Sequence, residues 1–381
     1  NEDLFQQAKI WVEMIYQHLT FDSFVRKLSP NIAAFAGVNP LINPQIFAEF
    51  ANAIYRLGHS MLPEEIGLRK FQDASSLSTI TGQSVVIVAL NNHGLKTGDT
   101  FVLSDVANAI GGIPIAALNG TFVVTVVDAN TFTFDSTAPA TATGPGLASD
   151  RVLLDLSRSL IDGFLNPTSY TPGATAGLLA DGSTGQVGYR IDEKISDSLR
   201  DNLLGKPLDL ATLNLMRGRD AGLPTLNELR GSIVAVAPLA LQASLSPYTT
   251  WTGFRDNLKG SLEQQNATVK NFMMAYAADA LFSQFGATGM TLGGVTGRSL
   301  EQWYALRASA VVAEQTQYMT ALKAAAELGF ADQTWMGTTG NKDFNRIDAW
   351  MGGLAEKEVV GGMLGSTFDA IFAIQMMNVQ D

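Results

Sequence analysis

The spacing of apolar residues changes twice along this chain, and that change limits the folds open to it more than any other feature. Residues 1 to about 74, and again from about 150 onward, place apolar side chains mostly at helical spacing. Between them, residues 75–149 hold only five charged residues and are dominated by Thr, Val and Gly. The pattern predicts a mainly α fold with one small all-β insertion. The predicted domains are helical residues 1–74, the β insertion 75–149 and helical residues 150–381.

Turn clusters and capping residues refine this prediction. Asn43 suits a helix N-cap and Pro44 the first helical turn, so a helix is expected from there to Leu62. Later helices are predicted at Val152–Leu165, Val187–Leu204, Leu208–Arg217, Leu226–Val236, Thr268–Phe285, Gln302–Leu328 and Phe368–Met377. Strands are predicted at Ser84–Leu90, Thr100–Ser104, Thr121–Val127 and Thr131–Asp135.

Charge and composition exclude several functions. The net charge of −11 argues against a general nucleic-acid binder, because phosphate backbones are held by clustered Lys and Arg. The absence of Cys excludes disulfides, thiolate metal sites and a cysteine nucleophile. No run approaches the roughly 20 apolar residues of a membrane span. An acidic, Cys-free, Gly-rich chain is typical of bacterial secreted proteins, so we expect a secreted or cell-surface location.

Three histidines are the candidates for metal or acid–base chemistry. His93 lies in a predicted turn of the β insertion, which favours a solvated turn residue, and His18 lies on the first helix, where a half-buried structural role is expected. His59 follows Arg56 and Gly58 on an otherwise apolar segment. An imidazole and a guanidinium so placed can hold a flat, anionic, metal-bearing ligand. A buried His bonded to a carbonyl is the alternative, and the residues alone favour it.

A second polar residue in an apolar setting is Asn214, which lies among Leu210, Leu213 and Leu215 with Arg217 three residues on. A buried amide needs a hydrogen-bonding partner. One interpretation pairs Asn214 with the second nitrogen of a metal-bound His, which would fix the tautomer of that ring. The other is a helix end at which the arginines and Asp220 form ion pairs and Gly218 breaks the helix.

These segments resemble the animal-type haem peroxidases of the peroxidase–cyclooxygenase superfamily, in its bacterial branch. Arg56–His59 is similar to the helix that carries the proximal histidine. The other blocks, in the order of the family, are Asn1–Phe24, Leu208–Arg219 with Gly222–Pro224 and Asn227, Asp348–Glu356, and Gly361–Phe368. The resemblance covers nearly everything except the β insertion, which is similar to small β modules and is expected to be a spacer or a protein-contact surface.

The resemblance implies that haem b is the cofactor and that His59 is the axial ligand of its iron. Asn214 would accept the second N–H of that imidazole, which makes the ring more electron-donating. Arg217 and Arg56 would pair with the haem propionates. Leu210 and Leu213 would pack on the proximal face.

The distal His and Arg of the family, and its calcium loop, are expected upstream of this chain or on a companion chain, because none of their motifs occurs here. The implied activity is reduction of hydrogen peroxide coupled to oxidation of small organic, halide or metal-ion donors. The rival hypothesis is a haem-free structural or adhesive extracellular protein that retains the same scaffold.

Overall fold

The computed structural model describes residues 2–165, 176–201 and 203–380. Helices predominate, and a single long stretch of strands interrupts them, so the predicted mainly α fold with a β insertion is confirmed. The chain divides into two compact units. The helical unit comprises Asn1–Ser60, Ile191–Lys194 and Ala211–Asp381, and the β-rich unit comprises Met61–Arg190 and Ile195–Leu210.

The helices and strands are numbered in chain order. The helices are α1 (Glu2–His18), α2 (Val25–Leu28), α3 (Ala48–Asn52), α4 (Gly58–Met61), α5 (Leu160–Leu165), α6 (Ala176–Gly185), α7 (Asp197–Arg200), α8 (Leu210–Asp220), α9 (Leu226–Ile233), α10 (Leu239–Gln242), α11 (Trp251–Arg255), α12 (Leu262–Tyr276), α13 (Ala278–Phe285), α14 (Leu300–Ala308), α15 (Val312–Ala331), α16 (Gln333–Met336), α17 (Ala349–Ala355) and α18 (Ser366–Gln380). The strands are β1 (Glu65–Asp73), β2 (Leu77–Thr79), β3 (Val85–Ala89), β4 (Thr100–Ser104), β5 (Gly120–Val123), β6 (Thr125–Asp128), β7 (Thr131–Asp135), β8 (Gly144–Pro145), β9 (Arg151–Ser159), β10 (Thr291–Leu292) and β11 (Val295–Thr296). Among the helices within these ranges, none is both long and apolar enough to cross a membrane.

The core of the helical unit forms around α15, the longest of the described helices. Its buried face is made largely of small residues, which allows α12, α13 and α14 to pack closely against it. Aromatic rings fill the space between these helices, and Phe282 stacks on Trp303 with ring centroids 4.5 Å apart. The two predicted long helices of this region are each split in two, α12 from α13 at Ala277 and α14 from α15 near Ser309.

Helix α17 is held tightly in the same unit. A side chain at Gly353 would place a Cβ atom 2.1 Å from the ring of Phe368 on α18, and one at Gly352 would come within 2.7 Å of Leu226 on α9. Glycine is therefore required at both positions for this close approach. The same helix packs against the 3₁₀ turn Ile54–Leu57, which leads into His59.

The first helix, α1, does not bury the apolar residues that lie at helical spacing along it. Phe5, Val12 and Ile15 are 62%, 64% and 56% exposed. The expectation of a half-buried His18 is wrong, because this side chain is exposed and contacts Asp22 one turn later.

Two antiparallel sheets enclose a shared apolar core in the β-rich unit. Their strand orders are β1-β9-β4-β5 and β6-β7-β3-β2-β8. Strand β1 pairs with β9 along its whole length, from Glu65 opposite Ser159 to Asp73 opposite Arg151. Strands thus extend beyond the predicted 75–149 on both sides.

The predicted helix Val152–Leu165 is wrong in its first part, where β9 lies. Val152, Leu154 and Leu156 are buried at a spacing of two. A short apolar run such as this one fits either period, and pairing with β1 decides it. The predicted helix Val187–Leu204 is also wrong for residues 187–196, which are irregular. The short α7 begins where the Glu64 carboxylate accepts hydrogen bonds from the backbone N–H groups of Asp197 and Ser198.

Candidate functional site

The segment that carries His59 is bent rather than continuous. The predicted helix from Pro44 to Leu62 is wrong, because α3 begins only at Ala48 and helical geometry is lost at Ala53 (φ −123°, ψ −70°). A 3₁₀ turn follows, and α4 begins at Gly58. The break allows Ile54 and Leu57 to be buried against α17 and α18. Tertiary packing therefore overrides the helical preference of the sequence.

His59 lies against the side chain of Asn214, which comes from α8. The distance between Asn214 Nδ2 and His59 Nδ1 is 2.8 Å, although 155 positions separate the two residues. Asn214 is 1% exposed, and His59 is only half-buried. The amide is thus enclosed behind the imidazole, while part of the ring remains open to a ligand.

The amide also leaves one hydrogen-bonding atom free. Asn214 Oδ1 is buried and has no partner among the described residues. With Nδ2 facing the ring, the amide donates to Nδ1 and the imidazole carries its proton on Nε2. Rotation of the amide by half a turn would place Oδ1 at the same position. Oδ1 would then accept a hydrogen bond from Nδ1–H, and the lone pair of Nε2 would be free to bind a metal.

Two arginines make the surroundings of His59 positive. Burial lowers the pKa of the His59 imidazole, and the charges of Arg56 and then Arg217 lower this pKa further. The neutral ring, which is the metal-binding form, is therefore favoured. Arg56 donates through Nε to the carbonyl oxygen of Ala51 at 3.2 Å. Neither guanidinium has a carboxylate partner among the described residues, so both remain able to bind an anionic group.

Arg219 belongs to the same sequence motif but has a different role. Its Nε and Nη2 donate to the two carboxylate oxygens of Asp348 at 2.9 and 2.7 Å, and the Tyr276 hydroxyl donates to Asp348 Oδ2 at 2.9 Å. The alternative interpretation predicted ion pairs for Arg217, Arg219 and Asp220. Of these three, only Arg219 forms an ion pair among the described residues. Gly218 does not break the helix, since α8 continues to Asp220.

Helix α8 ends in a Schellman motif. Leu223 N–H donates to the Gly218 carbonyl and Gly222 N–H to that of Arg219, at 2.9 and 3.0 Å. Gly222 has φ +68°, which glycine adopts without strain. Gly222 and Leu223, which follow the arginines in the sequence, thus form the motif that ends the helix.

The two leucines expected at the site are half-buried. Leu213 lies one residue before Asn214, and Leu210 is the first residue of α8. Their contact with a haem face stays a prediction.

The remaining histidine, His93, is not a solvated turn residue, so that expectation is wrong. Its side chain is in the β core, where Nδ1 accepts from Leu95 N–H at 3.0 Å and Nε2 lies 2.9 Å from the carbonyl oxygen of Asp128. Asn92 and Gly94, rather than His93, take the positive φ values. Its contacts with backbone N–H and carbonyl groups thus explain why this imidazole is buried.

Sequence reasoning missed Tyr276 and Asp348 as neighbours of the site. Asp348 lies in the segment Asp348–Glu356, which resembles the peroxidase family. The sequence signal that could have revealed the pair is a carboxylate without an evident partner in this segment and an arginine without one in Leu208–Arg219. Among the described residues, no group of three or more His, Asp and Glu side chains could hold a metal ion on its own.

Known proteins similar to this chain were found among solved structures, but the comparison with curated protein sequences found no match. Among solved structures, Peroxidase A from Dictyostelium discoideum is 16% identical, with a TM-score of 0.41, and the match covers 95% of this chain and 40% of that one. The endosialidase of phage phi92 is 20% identical, with a TM-score of 0.19, over 25% of this chain and 14% of that one. The chain thus spans less than half the length of the Dictyostelium peroxidase.

The sequence profile of the animal haem peroxidases matches residues 1–108 and 128–288, which together make up more than half of the chain. The chain therefore belongs to the animal haem peroxidase family.

Proposed function

We propose that this chain forms the proximal side of a haem b site, with His59 as the axial ligand of the iron. The observation that carries the proposal is the 2.8 Å contact between His59 and Asn214. Each of the two residues is a polar residue in a separate, mainly apolar segment. A metal-bound imidazole needs a hydrogen-bonding partner at its second nitrogen to fix its tautomer.

Three features of the structure support the fit of a haem to these residues. Asn214 Oδ1 has no partner among the described residues, and rotation of the amide by half a turn would bring it to the Nδ1–H of a His59 ring that binds through Nε2. A Cβ atom built at Gly58 would meet no neighbouring atom within 4 Å, so a flat ring has room to approach. Arg56 and Arg217, both close enough to influence the imidazole, have no competing carboxylates among the described residues.

The residues of this chain then have separable tasks. His59 would bind the iron, and Asn214 would hold the ring by accepting a hydrogen bond from its second N–H, which increases electron donation. Arg217 and Arg56 would bind the two propionates, and Leu210 and Leu213 would exclude water from the proximal face. The bound haem supplies the redox chemistry by which peroxide is reduced and donors are oxidised.

Proton transfer at peroxide needs groups on the opposite face. Of the three histidines, His18 contacts Asp22 and His93 is bound in the β core, so neither is available for it. We propose that a distal His and Arg, and a calcium site, come from sequence upstream of this chain or from a companion chain. The whole protein would reduce hydrogen peroxide while oxidising small organic, halide or metal-ion donors. Its acidic, Cys-free composition supports a bacterial secreted or cell-surface protein.

Haem titration followed by absorption spectroscopy tests the proposal. The purified chain should develop a Soret band with one haem per chain, and His59→Ala should abolish its axial-ligand signature in electron paramagnetic resonance. His18→Ala is the matched control, because it removes an exposed imidazole from the same unit and should leave both signals unchanged. A protein that folds but takes up no haem would support the rival structural role, and an unaltered signature in His59→Ala would refute His59 as the ligand.

A further inference from the structure

Asp348 connects α8, the helix that carries Asn214, to α17, which begins directly after it. Its carboxylate receives both Arg219 hydrogen bonds and that of the Tyr276 hydroxyl, all between 2.7 and 2.9 Å. The Asp348 side chain is only 16% exposed, so solvent competes weakly for these bonds. Burial, followed by the charge of the Asp348 carboxylate, raises the pKa of Tyr276, so its hydroxyl remains a donor.

The connection is made on the side of α8 that faces away from the site. At roughly 100° per residue, Arg217 lies about 60° around the helix from Asn214, and Arg219 lies about 140° from it. Asn214 and Arg217 therefore share one side, and Arg219 can bind Asp348 without drawing either of them away from His59.

No apolar side chain of helix α8 is fully buried, and its one fully buried residue is Asn214. The helix also contains Gly218, and glycine weakens a helix interior relative to alanine. A helix without a fully buried apolar stripe depends more on its polar contacts, which include the Asn214–His59 pair in its middle and the Arg219–Asp348 pair at its end.

Helix α17 is linked to both His59 and Asn214. Helix α17, which begins directly after Asp348, packs against the 3₁₀ turn Ile54–Leu57 that precedes His59. Its glycines at 352 and 353 fit tightly against α9 and α18, so it has little freedom to shift.

We propose that Asp348 is a positioning residue, which holds α8 through Arg219 so that the Asn214 amide meets the His59 ring. The juxtaposition of His59 and Asn214 does not itself require haem. Only the consequence for the iron depends on the proposed function.

The first experiment uses the chain without haem. In nuclear magnetic resonance spectra, the side-chain NH₂ protons of Asn214 should exchange with water at least tenfold faster in Asp348→Asn than in the unaltered protein. The side-chain amide of Asn31, which donates to Asp369 at 2.7 Å, serves as an internal reference and should not change. Arg219→Gln breaks the same pair from the other side and should reproduce the effect, even if one of the two variants folds poorly. Glu327→Gln, which removes the exposed Lys270–Glu327 pair, is the control.

The second experiment uses the haem-loaded protein and its Fe(III)/Fe(II) midpoint potential. Asp348→Asn should raise the potential in the unaltered background and leave it unchanged in an Asn214→Ala background, because the effect passes through Asn214. Equal shifts in both backgrounds, or unaltered exchange of the Asn214 amide, would overturn the role of Asp348. If no haem binds but amide exchange responds as expected, the proposed function fails while the positioning role stands.

Discussion

His59 and Asn214 lie 155 positions apart and are joined by a single contact of 2.8 Å between an imidazole nitrogen and a buried amide. Two apolar residues at these positions would stabilise the fold more than this pair does. A buried amide whose oxygen has no hydrogen-bonding partner costs about 1–3 kcal/mol of folding free energy. Such a cost is common where a side chain is kept for its chemistry. This pair is therefore the best point at which to perturb the site.

Substitution of Asn214 should tune the proposed iron centre without removing the ligand. Asn214→Ala should weaken haem affinity by roughly tenfold and raise the midpoint potential, because the imidazole loses its hydrogen-bonding partner. Asn214→Asp should lower the potential, since a carboxylate accepts more strongly from Nδ1–H. Spectroelectrochemical titration measures both shifts. Shifts of the same sign in the two variants would contradict the hydrogen-bond account.

The two arginines of the α8 motif should differ in their effect on stability, although both act on haem binding, Arg217 directly and Arg219 through the position of Asn214. Arg217→Gln should weaken haem affinity roughly tenfold, the value of one hydrogen bond to a charged group, and leave the unfolding free energy nearly unchanged. Arg219→Gln should lower the unfolding free energy by about 1 kcal/mol, because its pair with Asp348 is partly exposed on the arginine side. Haem titration and urea denaturation of both variants test this division. A larger loss of unfolding free energy in Arg217→Gln than in Arg219→Gln would contradict this division.

The sequence predicted the contact between His59 and Asn214 better than it predicted the backbone that carries them. His59 and Asn214 stood out because each is polar in an apolar segment, and burial of such groups demands a partner. The bend at Ala53 was not visible, because it results from burial of Ile54 and Leu57 against helices nearly 300 residues later. Local propensity does not contain that information.

The limits of the β insertion show the same difficulty. Composition marked the interior strands, but β1 and β9 were missed because their charges, such as those of Arg69 and Asp155, made them resemble helices. These two residues form a cross-strand pair at 2.8 Å, which becomes evident only once the strands are paired. His93 was misplaced for a similar reason, since its Nε2 lies against the carbonyl oxygen of Asp128, which is 35 positions later in the chain.

The buried ion pair of Arg230 and Glu356 should be essential for the stability of the helical unit. The two side chains are 3% and 1% exposed, and Glu356 also accepts hydrogen bonds from Tyr248 and from Thr367. Glu356→Gln leaves the arginine buried without a counter-charge, which should cost about 3–5 kcal/mol of unfolding free energy. The exposed pair Lys270–Glu327 is the comparison, and Glu327→Gln should cost at most about 1 kcal/mol. Similar losses in the two variants, measured by urea denaturation, would show that burial does not set the cost.

Asp369 should make stability fall as pH rises above the ordinary pKa of an aspartate. Its side chain is fully buried on α18, and burial raises its pKa despite hydrogen bonds from Ser29 and Asn31. The folded protein therefore holds this proton more tightly than the unfolded chain does. The resulting stability is complete below the ordinary carboxyl pKa and is lost as pH rises through the raised value. Asp369→Asn retains an oxygen for the Asn31 amide but does not titrate, so its stability relative to the unaltered protein should increase with pH.

Glu228 provides the opposite case within the same unit. The backbone N–H and then the hydroxyl of Thr225 lower its pKa by hydrogen bonding in a capping box at the start of α9. Its contribution is present above the ordinary carboxyl pKa and is lost as pH falls through the lowered value. Glu228→Gln should therefore lose more stability, relative to the unaltered protein, at neutral pH than in acid. Urea denaturation of both variants across pH 3–8 compares the two slopes, which must differ in sign if burial dominates at Asp369 and capping dominates at Glu228.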